Sequence, residues 1–323
     1  MNSSIESNLK ANGKLLITSE YLVLDGATAL AFPTRWGQTL SIVPTGDNRI
    51  GWVASDIHGV WFTAEYSVND YALIQTSNHG IAVSLQKMLT EAATLNPQHN
   101  VRNGIHVNTE LNFNRFMGLG SSSTIIALIA DLFETDKYKL HKRVSTGSGY
   151  DIACADLNYP IFYTRTSEDE AMISPVYFKP DFTSNMYLAW LGIKQDTNAE
   201  IHLYRSMKKG EKDKYIKKAT EITVALPEVK ELTTFTSLIE VHEEMIGSIL
   251  NRDTIKRRMF NDFKGCIKSL GAWGGDFVLV CSDMSDQYVF DYFKKKDITA
   301  VYHFNDLVLN EQVSISNDTI IRF

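Results

Sequence analysis

The sequence predicts an α+β protein in two domains. Three observations carry this expectation. At 323 residues the chain is long for a single hydrophobic core. Its first half is rich in short apolar and alternating stretches punctuated by Pro and Gly, whereas residues 198–269 carry apolar positions at helical spacing. Between them, over about residues 165–185, the composition turns polar (Arg165-Thr166-Ser167-Glu168-Asp169-Glu170, then Lys179-Pro180-Asp181), which places the domain boundary there.

Taken in order, residues 9–18 and 21–25 read as two short strands with a Ser-Glu interruption, closed by Asp25-Gly26. Lys14 and Glu20 border them, and solvated strand-end charges are the plain alternative to any special role. Strands are expected at 29–32, 39–43, 50–54 and 60–65, separated by Pro33, Pro44 to Asn48 and His58-Gly59. Ile81, Leu85, Met88, Leu89 and Ala92 predict an amphipathic helix ended by Asn96-Pro97. Residues 104–111 alternate as a strand, and a helix follows to about Glu134. Further strands are expected at 161–164 and 186–193. Helices follow at 198–208, 212–225, 228–250 and 253–269. Phe277 to Cys281 reads as a buried strand, and a helix at 285–295 and strands at 299–304 and 306–310 complete the reading.

Hydrophobic residues make up 44% and charged residues 22%, as in ordinary globular proteins. A net charge of −6 argues against a general nucleic-acid or membrane-surface binder, so an anionic ligand must be met by a local array of donors. Cys154, Cys266 and Cys281 form no CxxC pair and read as buried free thiols in a reducing compartment. No apolar stretch approaches the roughly 20 residues that span a bilayer, and Met1 to Asn8 holds no signal core. A cytoplasmic protein is expected.

The chemistry concentrates in glycine-rich segments. Met117-Gly118-Leu119-Gly120-Ser121-Ser122-Ser123-Thr124 leads directly into an apolar helical run. A loop of this kind at a helix N-terminus exposes unpaired N–H groups and suits a polyphosphate. Alone, it fits a Ser-capped helix equally well. Ser145-Thr146-Gly147-Ser148-Gly149-Tyr150-Asp151 places one carboxylate at the mouth of an apolar segment, where a helix N-cap is the plain alternative. Gly271-Ala272-Trp273-Gly274-Gly275-Asp276 precedes the strand at 277–281. GxxxxGK[ST], GxGxxG, HExxH and GxSxG are all absent from the sequence.

These segments, with Ala11-Asn12-Gly13-Lys14 to Gly26 ahead of them, resemble in order the motifs of the GHMP superfamily of small-molecule kinases. Gly118 to Ser123 is similar to its GLGSS motif, Gly147 to Asp151 to its GSGxD segment and 271–276 to its third motif. Gly149-Tyr150-Asp151-Ile152-Ala153 suggests the GYDIA branch. Asp276 and Pro33-Thr34…Gly37-Gln38 lean towards phosphomevalonate kinase-like members.

The resemblance implies an N-terminal ATP-binding domain (1–182) like ribosomal protein S5 domain 2, and a ferredoxin-like C-terminal domain (183–323). It implies ATP and Mg²⁺, with the backbone amides of Gly118, Leu119, Gly120, Ser121, Ser122 and Ser123 on the phosphates and Ser122 helping to ligate the metal. Asp151 would orient or deprotonate the acceptor hydroxyl. Lys14 would keep that carboxylate ionised and neutralise the transferring group. Tyr21, Lys194 and the third-motif residues Gly271, Ala272, Gly274 and Gly275 would face the acceptor.

Some positions depart from the family pattern. Asn12 replaces its Pro and Ser19 its Gly. Trp273 stands where the third motif has Gly, and its ring is expected to narrow the phosphate or acceptor pocket. Only Thr124 to Thr146 separates the second motif from Gly147, where many relatives carry an additional helix with a Mg²⁺-binding Glu, and here Glu134 and Asp136 are the candidates. Lys142, Arg143, Lys194 and Arg35 are the cations available for a phosphorylated acceptor.

The expected function is phosphoryl transfer from ATP in the mevalonate pathway, to phosphomevalonate first and mevalonate next. An ATP-driven diphosphomevalonate decarboxylase and a catalytically silent nucleotide-binding member are the alternatives. The expected partners are the small-molecule acceptor, with neither nucleic acid nor membrane, and a homodimer is left open.

Overall fold

Strand β2 (Ala29–Pro44) is the axis of the larger sheet in the computed structural model, which describes residues 7–99, 101, 103–193, 204–271, 273, 276–312 and 318–323. β1 (Ser7–Leu16) runs antiparallel along one edge of it, with Leu9 opposite Leu40 and Leu16 opposite Ala31. The other edge is shared. Ala29 to Ala31 pair with β7 (Ile161–Arg165), and Gln38 to Pro44 pair with β6 (Ile105–Leu111). Pro33, expected to separate two strands, lies inside this one, opposite Lys14. The register shifts there, between Asn12 and Lys14, and a bulge accommodates a residue without an N–H.

β6 runs parallel to β3 (Arg49–Asp56), followed outward by β4 (Gly59–Ser67) and β5 (Leu73–Thr76). Beyond β7 lie β8 (Glu170–Pro175) and β13 (Thr319–Arg322). Among the described residues this sheet has nine strands. Helices α1 (His79–Leu95) and α2 (Ser121–Leu132) bury Leu85, Leu89, Ile126 and Ala130 against Leu40, Trp52, Phe62 and Val107. Two short helices, α3 (Lys137–Val144) and α4 (Tyr150–Cys154), follow α2.

The smaller sheet is antiparallel, in the order β10 (Cys266–Ser269), β11 (Phe277–Cys281), β9 (Met186–Trp190), β12 (Val301–His303). With it go α5 (Lys209–Ala225), α6 (Leu232–Leu250), α7 (Ile255–Met259), α8 (Asp286–Lys294) and α9 (Phe304–Leu307). One apolar cluster joins the two sheets, with Leu15 and Phe32 from the first and Leu119 from the loop before α2 meeting Leu188 and Leu279 of the second and Phe235 and Phe304 of its helices. Burial of each such side chain contributes about 1.5–3 kcal/mol.

The expected helix at 253–269 is corrected to a single short helix, α7, capped by Thr254, and a strand, β10. Between them Gly265 at φ +143° helps to reverse the chain, and β10 is too short, and too completely buried, to display a period. Of the expected strand at 306–310, Asp306 and Leu307 belong to α9, and Val308 makes only a single bridge, to Thr34. Helix 198–208 lies mostly outside the described residues. The three cysteines are free and buried, and no helix among the described residues is long and apolar enough to cross a membrane.

Candidate active site

The turn from β6 into α2 is built on two glycines in the left-handed region, Gly118 at φ +71° and Gly120 at φ +93°. A Cβ on Gly120 would lie 2.7 Å from Ser123 Oγ and 3.2 Å from Lys14 Cγ, and one on Gly118 would collide with the Asp276 carboxylate. Gly120 is itself the N-cap, so no side chain caps α2. The serines have other tasks. Ser123 returns its hydroxyl to Gly120 O at 2.8 Å, while Ser122 is exposed and lines the cleft with Ser121. The first-turn N–H groups of Ser121 and Ser122 have no acceptor within the helix, as an anion-binding helix terminus requires, and both residues line the cleft. A Ser-capped helix is not what forms here.

β1 approaches this turn closely because Gly13 has no side chain. A Cβ there would be 2.6 Å from Thr34 Oγ1 and 2.8 Å from Leu119 O. The next residue, Lys14, donates its backbone N–H to Leu119 O at 2.9 Å and its Nζ to Gly118 O at 2.8 Å. The Tyr150 ring centre is 5.7 Å from the ammonium. Burial pulls the Lys14 pKa down, but Tyr150, Asp151 and Asp276 together outweigh it and raise it, so the ammonium stays charged. Burial in turn pushes the Tyr150 phenol up to about 12, and it stays neutral.

Asp151 sits in the first turn of α4. The N-cap there is Gly149, at φ +91°, so Asp151 is not the cap. It accepts from the N–H of Ile152 at 3.1 Å. Asp276 arrives from the smaller sheet, its backbone oxygen accepting from Leu191 N at 2.8 Å. Lys14, Gly118, Gly120, Ser121, Ser122, Asp151, Gly271 and Asp276 thus line one cleft of about 380 Å³, walled by Leu16, Tyr21, Val23 and Leu24.

The Ser19-Glu20-Tyr21 knuckle beside the cleft is strained, with Ser19 at φ +66° and Tyr21 at φ +62°. His242 holds it by accepting from Ser19 N at 2.8 Å through Nε2, which assigns the neutral ring's proton to Nδ1, 3.8 Å from Glu20 Oε2. Burial and then Lys268 press the His242 pKa well below its usual value. Glu20 is buried and paired with Lys268, not a solvated strand end. Burial outweighs that partner and raises its pKa to about 7.

Trp273 corrects the expectation of a narrowed pocket. Its side chain is fully buried, at 0% exposure, and packs with Met245, Ile246 and Leu250. The indole Nε1 donates to Glu243 at 2.9 Å, and the backbone N–H donates to Tyr21 Oη at 3.2 Å. An apolar niche over Gly247, where a Cβ would lie 3.4 Å from Cη2, accepts the ring in place of the polar cleft.

Lys194, Ala272, Gly274 and Gly275 lie outside the described residues. Lys142 pairs with Asp169, Arg143 with Glu91 at 2.9 Å, and Arg35 Nε reaches Asn305 O at 3.5 Å, and none of the three lines the cleft. Glu134 pairs with His99 at 3.2 Å, and Asp136 caps α3. Among the described residues no group of three or more His, Cys, Asp or Glu gathers to hold a metal.

An adjoining cavity of about 480 Å³ shares Ser121 and Ser122 and is lined by Trp52, Trp61, Phe62, Arg115 and Phe116. The Arg115 guanidinium lies 4.4 Å from the Phe116 ring centre and bonds buried Asp56 at 2.7 Å. Sequence reasoning missed this cavity, and it named Glu20 without its burial or its Lys268 partner. Asp276, adjacent to a glycine pair, was visible as a motif residue but not as a neighbour of Gly118.

No family model matches the sequence, and no curated protein does. Among solved structures, the Methanococcus jannaschii mevalonate kinase superposes with a TM-score of 0.69 at 15% identity, over 96% of this chain and 100% of that one. Streptococcus pneumoniae phosphomevalonate kinase, in complex with phosphomevalonate and AMPPNP, gives 0.68 at 16% identity over 98% and 100%. Lactococcus lactis galactokinase complexed with galactose gives 0.66 at 10% identity over 98% and 92%. Over nearly its whole length, the chain has the fold of the GHMP small-molecule kinases.

Proposed function

We propose that the chain transfers a phosphoryl group from ATP to the hydroxyl or phosphate of a small-molecule acceptor of the mevalonate pathway, with phosphomevalonate as the first candidate. The observation that carries this reading is the Lys14 ammonium held 2.8 Å from Gly118 O, in one cleft with Asp151 and an uncapped helix N-terminus. Phosphoryl transfer asks a protein chiefly for positioning and charge neutralisation. The loop amides of residues 118–123 would hold the phosphates, and the aromatic cavity behind Ser121 would take the base. Lys14 would neutralise charge on the transferring group. Asp151 would accept a hydrogen bond from the acceptor hydroxyl, aligning its oxygen for attack.

Mg²⁺, when bound, would neutralise phosphate charge. The cleft's oxygen donors suit such a hard cation, with the exposed Ser122 hydroxyl holding it alongside the phosphates. On this reading residues 1–182 form the ATP-binding domain and 183–323 the second. Tyr21, Gly271 and the segments around Lys194 and 272–275 would face the acceptor.

One observation favours mevalonate over its phosphorylated form. Lys142, Arg143 and Arg35, three of the cations expected to grip a second phosphate, are engaged away from the cleft. An ADP-release assay over phosphomevalonate, mevalonate, galactose and homoserine decides the acceptor. Failure with all four rejects the metabolic assignment. Asp151→Ala is expected to lower kcat by about 10²–10⁴-fold, and unchanged turnover would remove its role.

A further inference from the structure

We propose that Phe323 is a positioning residue that holds the turn carrying Asp151 from beneath, an inference that rests on the kinase reading for its catalytic consequence. α4, which carries Asp151, has five residues, too few to be stable alone, so its direction depends on what it packs against. Its cap, Gly149, adopts φ +91°, a conformation open to glycine but strained for a residue with a Cβ. The space under Gly149 is filled from a distant part of the chain. A Cβ there would stand 2.8 Å from Phe323 Cε1, 3.1 Å from Phe323 Cζ and 3.1 Å from Tyr163 Oη.

Phe323 is held in turn. β13 pairs with the edge of β8, from Thr319 opposite Ile173 to Arg322 opposite Glu170, and Phe323 donates its N–H to Asp169 O at 2.9 Å. Ile321 is buried, and the Tyr138 ring meets Phe323 edge-on at 6.0 Å. Tyr163, bonded to Ser148 O, completes the floor. The chain thus leaves the larger sheet, builds the smaller one and returns as β13 to place one aromatic ring under the Gly149 cap. Displacements of about 1 Å can lower turnover by about 10²-fold, so this floor matters if Asp151 aligns the acceptor.

The test compares Phe323→Ala, the milder Phe323→Leu and Ile320→Ala, a control on the exposed side of β13. Hydrogen exchange is read at the Ala153 amide, which donates to Gly149 O at 3.1 Å, with α2 and β11 as internal references. Phe323→Ala is expected to speed exchange at Ala153 about tenfold with the references unchanged. It should also lower kcat about tenfold with the KM for ATP within about twofold, and Phe323→Leu should recover most of the loss. Unaltered exchange at Ala153, equal acceleration in the references, or faster local exchange with unaltered kcat each overturns the proposal. If the wild-type chain turns over none of the four acceptors while local exchange responds as stated, the floor stands and the kinase reading fails.

Discussion

Lys14 and Gly118 join the first and second glycine segments directly, since the Lys14 ammonium donates to the Gly118 carbonyl at 2.8 Å. The lysine is therefore preset against the loop. Lys14→Met is expected to lower kcat by about 10²–10³-fold, the usual loss for one electrostatic contact to developing charge. Lys14→Arg should not restore it, because Cε already lies 3.3 Å from the position of a Gly120 Cβ and a planar fork needs more room. Steady-state ADP release with calorimetric nucleotide binding checks both variants.

Gly120→Ala tests the loop itself. At φ +93° an L-residue is strained by about 1–2 kcal/mol, and the new methyl would also press on Ser123 Oγ, 2.7 Å away. The expected result is a lower urea midpoint together with nucleotide affinity reduced about tenfold, a loss near 1.4 kcal/mol.

Trp273 provides a contrast between core and cleft. Trp273→Ala should destabilise the fold by about 3–5 kcal/mol through the cavity it leaves. Trp273→Phe keeps much of the ring but strips buried Glu243 of the indole donor, at a cost of about 1–3 kcal/mol. Chemical denaturation measures both. A pocket-lining tryptophan would instead change acceptor KM with little change in stability.

Two buried groups predict opposing pH dependences. His242 is neutral when folded but takes up a proton near 6.5 when unfolded, so its contribution is present above that pH and is lost as pH falls below it. Glu20 behaves in reverse. Its pKa rises from 4.5 to about 7 on folding, so the folded chain retains a proton that the unfolded chain has released, and stability falls as pH climbs through that window. Glu20→Gln should gain stability relative to wild type as pH rises from about 5 to about 8, whatever its absolute loss from leaving Lys268 buried. His242→Gln should be less sensitive to acidification. Urea unfolding across that range reads both slopes.

Much of the fold was legible because its signals are local. The helical spacing of Ile81 to Ala92, the alternation over 105–111 and the glycine-to-apolar step at 118–125 each lie within one window of sequence. The errors have local causes too. β10 is four buried residues without a period, and Pro33 looks like a break until its partner strand supplies the bulge.

The sequence by itself determined which residues could form a phosphate loop, a lysine and a carboxylate in the order of a known kinase superfamily, because glycine conformations and helix termini are properties of short segments. Only the tertiary structure decided that Asp276 lies on Gly118, that Glu20 is paired with Lys268 in the core, that Trp273 turns away from the cleft and that Phe323 lies under Gly149. Each of these pairings depends on close packing between residues distant along the chain, and the strand pairing and burial that bring them together have no signature in either residue's neighbourhood.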